Sequence, residues 1–208
     1  GMSAGLSAAE NGAAVAVLEK APKERLGGQT QFAHAIRVPS TDTDIPGYEF
    51  EKEYSKSDFY QDIMKVTKGR ADQELLETLV DEAGSTVEWL AAQGVEFEER
   101  PPMGRPSKNA IAWHPGYEGS NTLEILIDVA TEQYDAEVLF NMEARSLRRS
   151  DESRITGVTA VGDDSVVFFD CDAVVIAAGG FEANAEKRTR YMGPQFDEMK
   201  VRGSRYVT

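Results

Sequence analysis

Gly1-Met-Ser-Ala-Gly5-Leu-Ser-Ala-Ala-Glu-Asn-Gly12-Ala-Ala-Val-Ala-Val-Leu-Glu19-Lys20 is the stretch on which the fold turns. Residues 2–11 are rich in Ala and Ser around Gly5, which suits a helix whose small side chains let it pack closely on a sheet. Gly12 follows as the residue that ends it. Ala13 to Lys20 is a short apolar run closed by an acid, the pattern of a parallel strand buried on both faces. A helix feeding a strand that ends in Glu19 is half of a dinucleotide-binding βαβ unit. There the helix N-terminus takes a pyrophosphate on its free amides, and the acid accepts hydrogen bonds from ribose hydroxyls. The Gly1–Glu19 separation fits the third glycine of G-x-G-x-x-G followed by helix, turn, strand and acid. Read without that motif, Glu19 is a surface acid at a strand end.

Outward from this stretch, the chain alternates helix and strand. Residues 21–50 hold Gly, Pro, Thr and Asp without a sustained period and read as a long loop. Helices are expected over 57–68 and 72–93, the second carrying Leu75, Leu76, Leu79, Val80, Ala83, Val87 and Leu90 at helical spacing, with a possible break at Gly84. Gly94 stops it before a short strand, Val95-Glu-Phe97. Residues 100–120 form a second Pro/Gly-rich loop. Asn121 or Thr122 opens a helix to about Tyr134, and Glu137–Phe140 is a strand. Runs at 143–149, 154–161 and 165–170 read as an antiparallel meander, with Gly162-Asp163-Asp164 as one hairpin. Asp172-Ala-Val-Val-Ile-Ala-Ala-Gly-Gly180 reads as a final buried strand. The class is α/β, with a meander inserted before the last parallel strand.

Composition narrows the function. With 22 Lys+Arg against 36 Asp+Glu the net charge is −14, a field that repels polyanions, so nucleic acid is not expected as a partner. No apolar run approaches the roughly 20 residues of a membrane span. Cys171 is the only cysteine, so no intrachain disulfide forms, and one Cys with His34 and His114 far apart gives no metal pattern. Cys171 reads as a small packed side chain. No signal peptide is visible, and a cytoplasmic location is the expectation.

Two glycine pairs add to the first constellation. Gly27-Gly28-Gln29-Thr30 lets backbone approach a ligand while a hydroxyl reaches it. Ala177-Ala-Gly-Gly180 places side-chain-free backbone at a strand end. Each pair alone reads as an ordinary turn or a helix–sheet contact; their order along the chain is the specific signal.

Lys20-Ala-Pro followed by Gly-Gly-Gln-Thr, Val87-Glu-Trp-Leu-Ala-Ala-Gln-Gly-Val-Glu-Phe97, and Val174-Val-Ile-Ala-Ala-Gly-Gly-Phe-Glu-Ala-Asn184 resemble the flavoprotein family of fumarate reductase and succinate dehydrogenase. Arg188-Thr-Arg-Tyr-Met-Gly-Pro194 and Lys200-Val-Arg-Gly-Ser-Arg-Tyr206 most resemble its tricarballylate dehydrogenase branch. The resemblance implies a Rossmann-like FAD-binding domain, here without its first strand, its cap domain and its C-terminal segment. It implies an FAD-dependent oxidoreductase that moves a hydride between flavin N5 and a small polycarboxylate such as tricarballylate, fumarate or succinate. An unidentified electron acceptor completes the cycle. A ketosteroid or enoyl dehydrogenase of the same superfamily is the alternative, and a non-catalytic dinucleotide-binding fragment is another.

By the same resemblance Gly1 lies beside the FAD pyrophosphate, Glu19 binds the adenosine ribose and Lys20 lies near adenine. Gly27, Gly28, Gln29 and Thr30 line pyrophosphate and flavin, although many relatives have Asn at the position of Gln29. Ala35 runs beside the isoalloxazine ring, where His34-Ala35 departs from the relatives' paired glycines. Ala144 meets adenine through its backbone, and Ala178 and Gly179 close on the cofactor. His34 and Arg37 are the nearby groups suited to a carboxylate substrate; each also reads as an ordinary loop or surface residue. The family's acid–base residue is expected beyond Thr208, so no catalytic residue is assigned.

Overall fold

Gly5 explains why the first helix can lie flat on the first strand. A β-carbon there would sit 3.0 Å from Val17 Cγ2 and 3.5 Å from Val15 Cγ1, so a larger residue would push the Val17 side chain aside by a few tenths of an ångström. The computed structural model describes residues 1–50, 52–98, 110–115, 119–151, 154–162 and 165–208. They fall into two units, Gly1–Gln31 with Leu126–Thr208, and Phe32–Ile125.

In the first unit, α1 (Met2–Glu10) buries Met2, Leu6 and Ala9, one face at helical spacing. β1 (Ala16–Leu18) pairs in parallel with β4 (Glu137–Leu139), Val17 opposite Val138. The ladder continues past both ends, through Glu137 N–H to Val15 O and Glu19 N–H to Leu139 O, each 2.9 Å. Helix α4 (Ser120–Tyr134) leads into β4, with Leu126 and Ala130 fully buried. β5 (Glu143–Arg149), β6 (Ile155–Gly162) and β7 (Ser165–Asp170) form the expected antiparallel meander in that order. Asp163 and Asp164, the middle of the expected hairpin, lie outside the described residues.

Two strand expectations are corrected here. The first strand is shorter than Ala13–Lys20 and is not buried on both faces: Ala16 is exposed, Val17 and Leu18 half-buried. Asp172–Gly180 forms no strand, and Val175 and Ile176 are 72% and 73% exposed. An apolar extended segment becomes a strand only when another strand supplies its ladder, and among the described residues none pairs with it.

Beyond this segment a short helix, α5 (Ala185–Met192), is capped by Asn184, whose Oδ1 accepts the Lys187 N–H at 2.9 Å. Sequence periodicity misses α5, because its eight residues carry almost no apolar stripe.

The second unit pairs β2 (Ala35–Val38) with β3 (Ala110–Trp113), antiparallel, under α2 (Lys56–Thr67) and α3 (Gln73–Ala92). Both strands fall inside stretches expected to be loops; each is only four residues long and is made by its partner far along the chain. The rest of the expected 100–120 loop lies largely outside the described residues. Instead of a strand at Val95–Phe97 there is a single bridge, Glu98 to Trp113. Ser55 and Asp58 form a reciprocal capping box on α2, and Asp72 caps α3. Val38, Ile45, Tyr54, Phe59, Leu76, Val80, Ala83, Val87 and Ala112 make one core.

Helix α3 does not break at Gly84. A β-carbon at Gly84 would lie 2.6 Å from Thr43 Oγ1 and 2.9 Å from the Asp42 carbonyl, so the glycine admits the crossing backbone of residues 42–43. Gly84→Ala is therefore expected to destabilise the protein despite its better helix propensity, by about 1–3 kcal/mol of overpacking. Denaturant unfolding checks this; an unchanged or raised midpoint would contradict the close contact.

Candidate functional site

Nothing caps the start of α1 with a side chain, and its first turn carries no acid. The first N–H groups of a helix have no intrahelical acceptor and carry the positive end of its dipole, so this end attracts an anion. A β-carbon on Gly1 would be 3.7 Å from Ala177 Cβ, which sets the exposed segment 177–179 beside the helix start. Gly179 has φ 72°, a conformation that favours glycine.

At the far end of β1, Glu19 Oε1 accepts the Ala21 N–H at 2.7 Å, which fixes the half-buried carboxylate at the strand's carboxyl end. Lys20 Nζ bonds Glu143 Oε1 at 3.0 Å and also contacts the Thr208 hydroxyl, while Arg145 takes the other Glu143 oxygen at 2.8 Å. Ala144 lies between these two charges on β5. The register slips between Ala144 and Ser146, so Arg145 is an extra residue and the ladder is interrupted next to Ala144.

Gly27 and Gly28 both have positive φ, 121° and 50°. The space a Gly28 β-carbon would occupy is open to 4 Å, and the Gly28 carbonyl accepts Gln31 Nε2 at 3.0 Å. Gln29 turns its amide oxygen to the Ser204 N–H at 3.4 Å, whereas Thr30 is exposed. Gly1 therefore meets the 177–179 segment, Lys20 meets the strand that bears Ala144, and Gln29 meets residues 203–204.

The other expected residues lie in the second unit. His34 is exposed, and its carbonyl accepts the His114 N–H at 3.0 Å. Ala35 and Arg37 sit on β2. The Arg37 guanidinium lies 5.8 Å from the Phe59 ring centre and acts on the Tyr54 phenol, so it is engaged in the unit's own packing. Tyr54 is 1% exposed and donates to Asp62 Oδ2 at 2.9 Å; burial and this carboxylate push its phenol up to about 12. His114 is buried, shares a 3.1 Å hydrogen bond between Nδ1 and the Thr122 hydroxyl, and lies 5.8 Å from the Phe97 ring.

Sequence reasoning missed the contacts of residues 203–208 with Gln29 and Lys20. The small pair Gly203-Ser204 is the same kind of signal that drew attention to Gly27-Gly28, but it stands in a polar run without an obvious partner. Among the described residues no group of His, Cys, Asp and Glu is placed to hold a metal, and no helix is long and apolar enough to cross a membrane.

An uncapped helix end, an acid at the end of a parallel strand and side-chain-free backbone at 28 and 179 fit a dinucleotide with a pyrophosphate and a ribose. They define a dinucleotide-binding α/β protein. More narrowly, the FAD binding domain family matches residues 1–201, and the chain belongs to it. It is 28% identical over 203 residues to the vinyl phenol reductase of Lactiplantibacillus plantarum, covering 92% of this chain and 38% of that protein. It is 27% identical over 198 residues to a fumarate reductase (cytochrome) of Shewanella frigidimarina, covering 90% of this chain and 32% of that one. The open conformation of a flavocytochrome c3 fumarate reductase superposes with a TM-score of 0.82 at 22% identity, over 99% of this chain and 36% of that one. The chain thus spans about a third of the length of the relatives it matches.

Burial lowers the His114 pKa from its ordinary value, so the native state holds the ring neutral. The unfolded chain takes up a proton first as the pH falls through about 6.5, and stability declines from there down to the lower native pKa. His114→Gln is expected to flatten the stability–pH curve below about pH 6.5. Unfolding midpoints across this range test it; a variant with the parent's slope would contradict the assignment.

Proposed function

We propose that this chain holds FAD within an oxidoreductase that acts on a carbon–carbon bond of a small polycarboxylate. The observation that carries the reading is the pairing of Glu19, at the carboxyl end of β1, with an uncapped α1 packed back onto the same strand through Gly5. The relatives' names support the chemistry: one reduces fumarate, a dicarboxylate with a carbon–carbon double bond, another vinyl phenol.

In this reading Gly1 and the first amides of α1 take the pyrophosphate, and Glu19 accepts the ribose hydroxyls. Lys20 and the Ala144 backbone lie on the adenine side. Gly27, Gly28, Gln29 and Thr30 line the pyrophosphate and flavin, with Ala178 and Gly179 closing on the cofactor and Ala35 beside the ring. When bound, FAD supplies hydride transfer; the protein binds it and orients the substrate. Carboxylate recognition falls to His34 and Arg37. His34 is exposed, and Arg37 interacts with Tyr54 and Phe59 within its own unit.

The test uses the native protein that carries this sequence. It is expected to show bound flavin by absorbance, and to oxidise a reduced viologen dye when given fumarate or a tricarboxylic ene-acid. Glu19→Ala is expected to raise the FAD dissociation constant about tenfold, as loss of hydrogen bonds to one charged acceptor does. Turnover of a steroid enone but of no carboxylate would overturn the substrate class. FAD affinity unchanged in Glu19→Ala would overturn the role given to the strand-end acid.

A further inference from the structure

Arg188 is 5% exposed, yet its guanidinium hydrogen-bonds three backbone carbonyls: Nη1 to Glu182 at 2.6 Å, Nε to Phe196 at 3.0 Å and Nη2 to Asp197 at 2.8 Å. Glu182 precedes α5, whereas Phe196 and Asp197 follow it, so one side chain joins the entry and exit of the helix. Burying a guanidinium is costly, and a fork aimed at three carbonyls fixes their relative positions as no single-point cation can.

The clamped stretch continues into the 203–208 segment, which returns to the start of the clamp, the Ala183 N–H bonding the Val207 carbonyl at 2.9 Å. Residues 183–207 are thus closed into a loop that Arg188 ties across α5, and Thr208 follows directly on its end. That loop touches three of the residues given to FAD above. Gly203 lies against the Gln29 carboxamide so closely that a β-carbon would overlap it, and the Ser204 N–H meets Gln29 Oε1 at 3.4 Å. Val207 Cγ1 would be 3.7 Å from a β-carbon at Gly179, and the Thr208 hydroxyl contacts Lys20.

We propose that Arg188 is a positioning residue for the dinucleotide site: its fork holds the 183–208 loop in the shape that seats Gly203–Ser204 on Gln29, Val207 on Gly179 and Thr208 on Lys20. Arg188 is too deeply engaged with its own backbone to touch the cofactor, so it acts through these three contacts. The proposal rests on the FAD reading of the site. A residue that only stabilised the fold would lower the unfolding temperature of the free and the FAD-loaded protein together, and would leave the affinity of the folded protein for FAD unchanged. A positioning residue lowers that affinity as well.

The experiment measures FAD dissociation rate and flavin absorbance in the native protein, its Arg188→Lys and Gly203→Ala variants and the double variant. Lysine keeps the charge but cannot hold three carbonyls in one plane, and Gly203→Ala pushes the Gln29 carboxamide aside from the other end of the loop. Each single variant is expected to release FAD about tenfold faster, because a misplaced Gln29 weakens the site. The double variant is expected to be less than additive, because the Gln29 contact that Gly203→Ala disturbs is one of the three through which Arg188 acts. FAD release unchanged in Arg188→Lys, or fully additive in the double variant, overturns the proposal. Should Arg188→Lys not fold, Gly203→Ala decides alone, and unchanged release there overturns it. A parent protein that takes up no FAD defeats the cofactor reading itself, and the Arg188 assignment with it.

Discussion

The approach of Gly5 to the Val15 and Val17 methyls is the constraint from which the first unit follows. A β-carbon at Gly5 would stand 3.0 Å from Val17 Cγ2, so the helix packs on the valine side chains more tightly than a larger residue there would leave undisturbed. That closeness sets where α1 begins relative to where β1 ends. One place gathers unsatisfied N–H groups and the positive end of a dipole; the other gathers a carboxylate. In the proposed reading, these complementary ends of one supersecondary unit take different parts of one ligand, and the glycine turns at 27–28 and 179 leave its path free of side chains.

Charges around this unit are held mainly in pairs. Glu143 is shared by Lys20 and Arg145 across the Ala144 bulge, and Glu19 is fixed by its own chain at Ala21. These contacts pre-arrange the polar groups, which reduces what must be ordered on binding. The second unit spends its polar groups differently. Tyr54, Asp62 and Arg37 form an internal network, and His114 with Thr122 is buried beside Phe97. His34 is exposed in that unit.

Local pattern made much of this legible. The helices α1 to α4 and the three meander strands follow from periodicity, caps and turn residues, and the α1–β1–Glu19 unit follows from one run of twenty residues. What escaped depends on contacts distant in sequence. β2 and β3 are four-residue strands that exist through each other, and Gly84 looks like a helix break until the backbone of Asp42 and Thr43 is seen against it. Asp172–Gly180 has a strand's composition but no ladder partner among the described residues, so its apolar side chains stand exposed. Arg188 and the Gly203–Ser204 contact with Gln29 join residues up to 175 positions apart, beyond the reach of any local pattern. Of the proposed site, the glycines and the strand-end acid could be read early; the loop that seats against them could not.

The dinucleotide site is tested by hydrogen exchange of the native protein with and without added FAD. Exchange is expected to slow at the amides of residues 2–5, 27–30 and 178–180, with much smaller change in α2 and α3. Protection confined to Phe32–Ile125, or none in the first turn of α1, would contradict it.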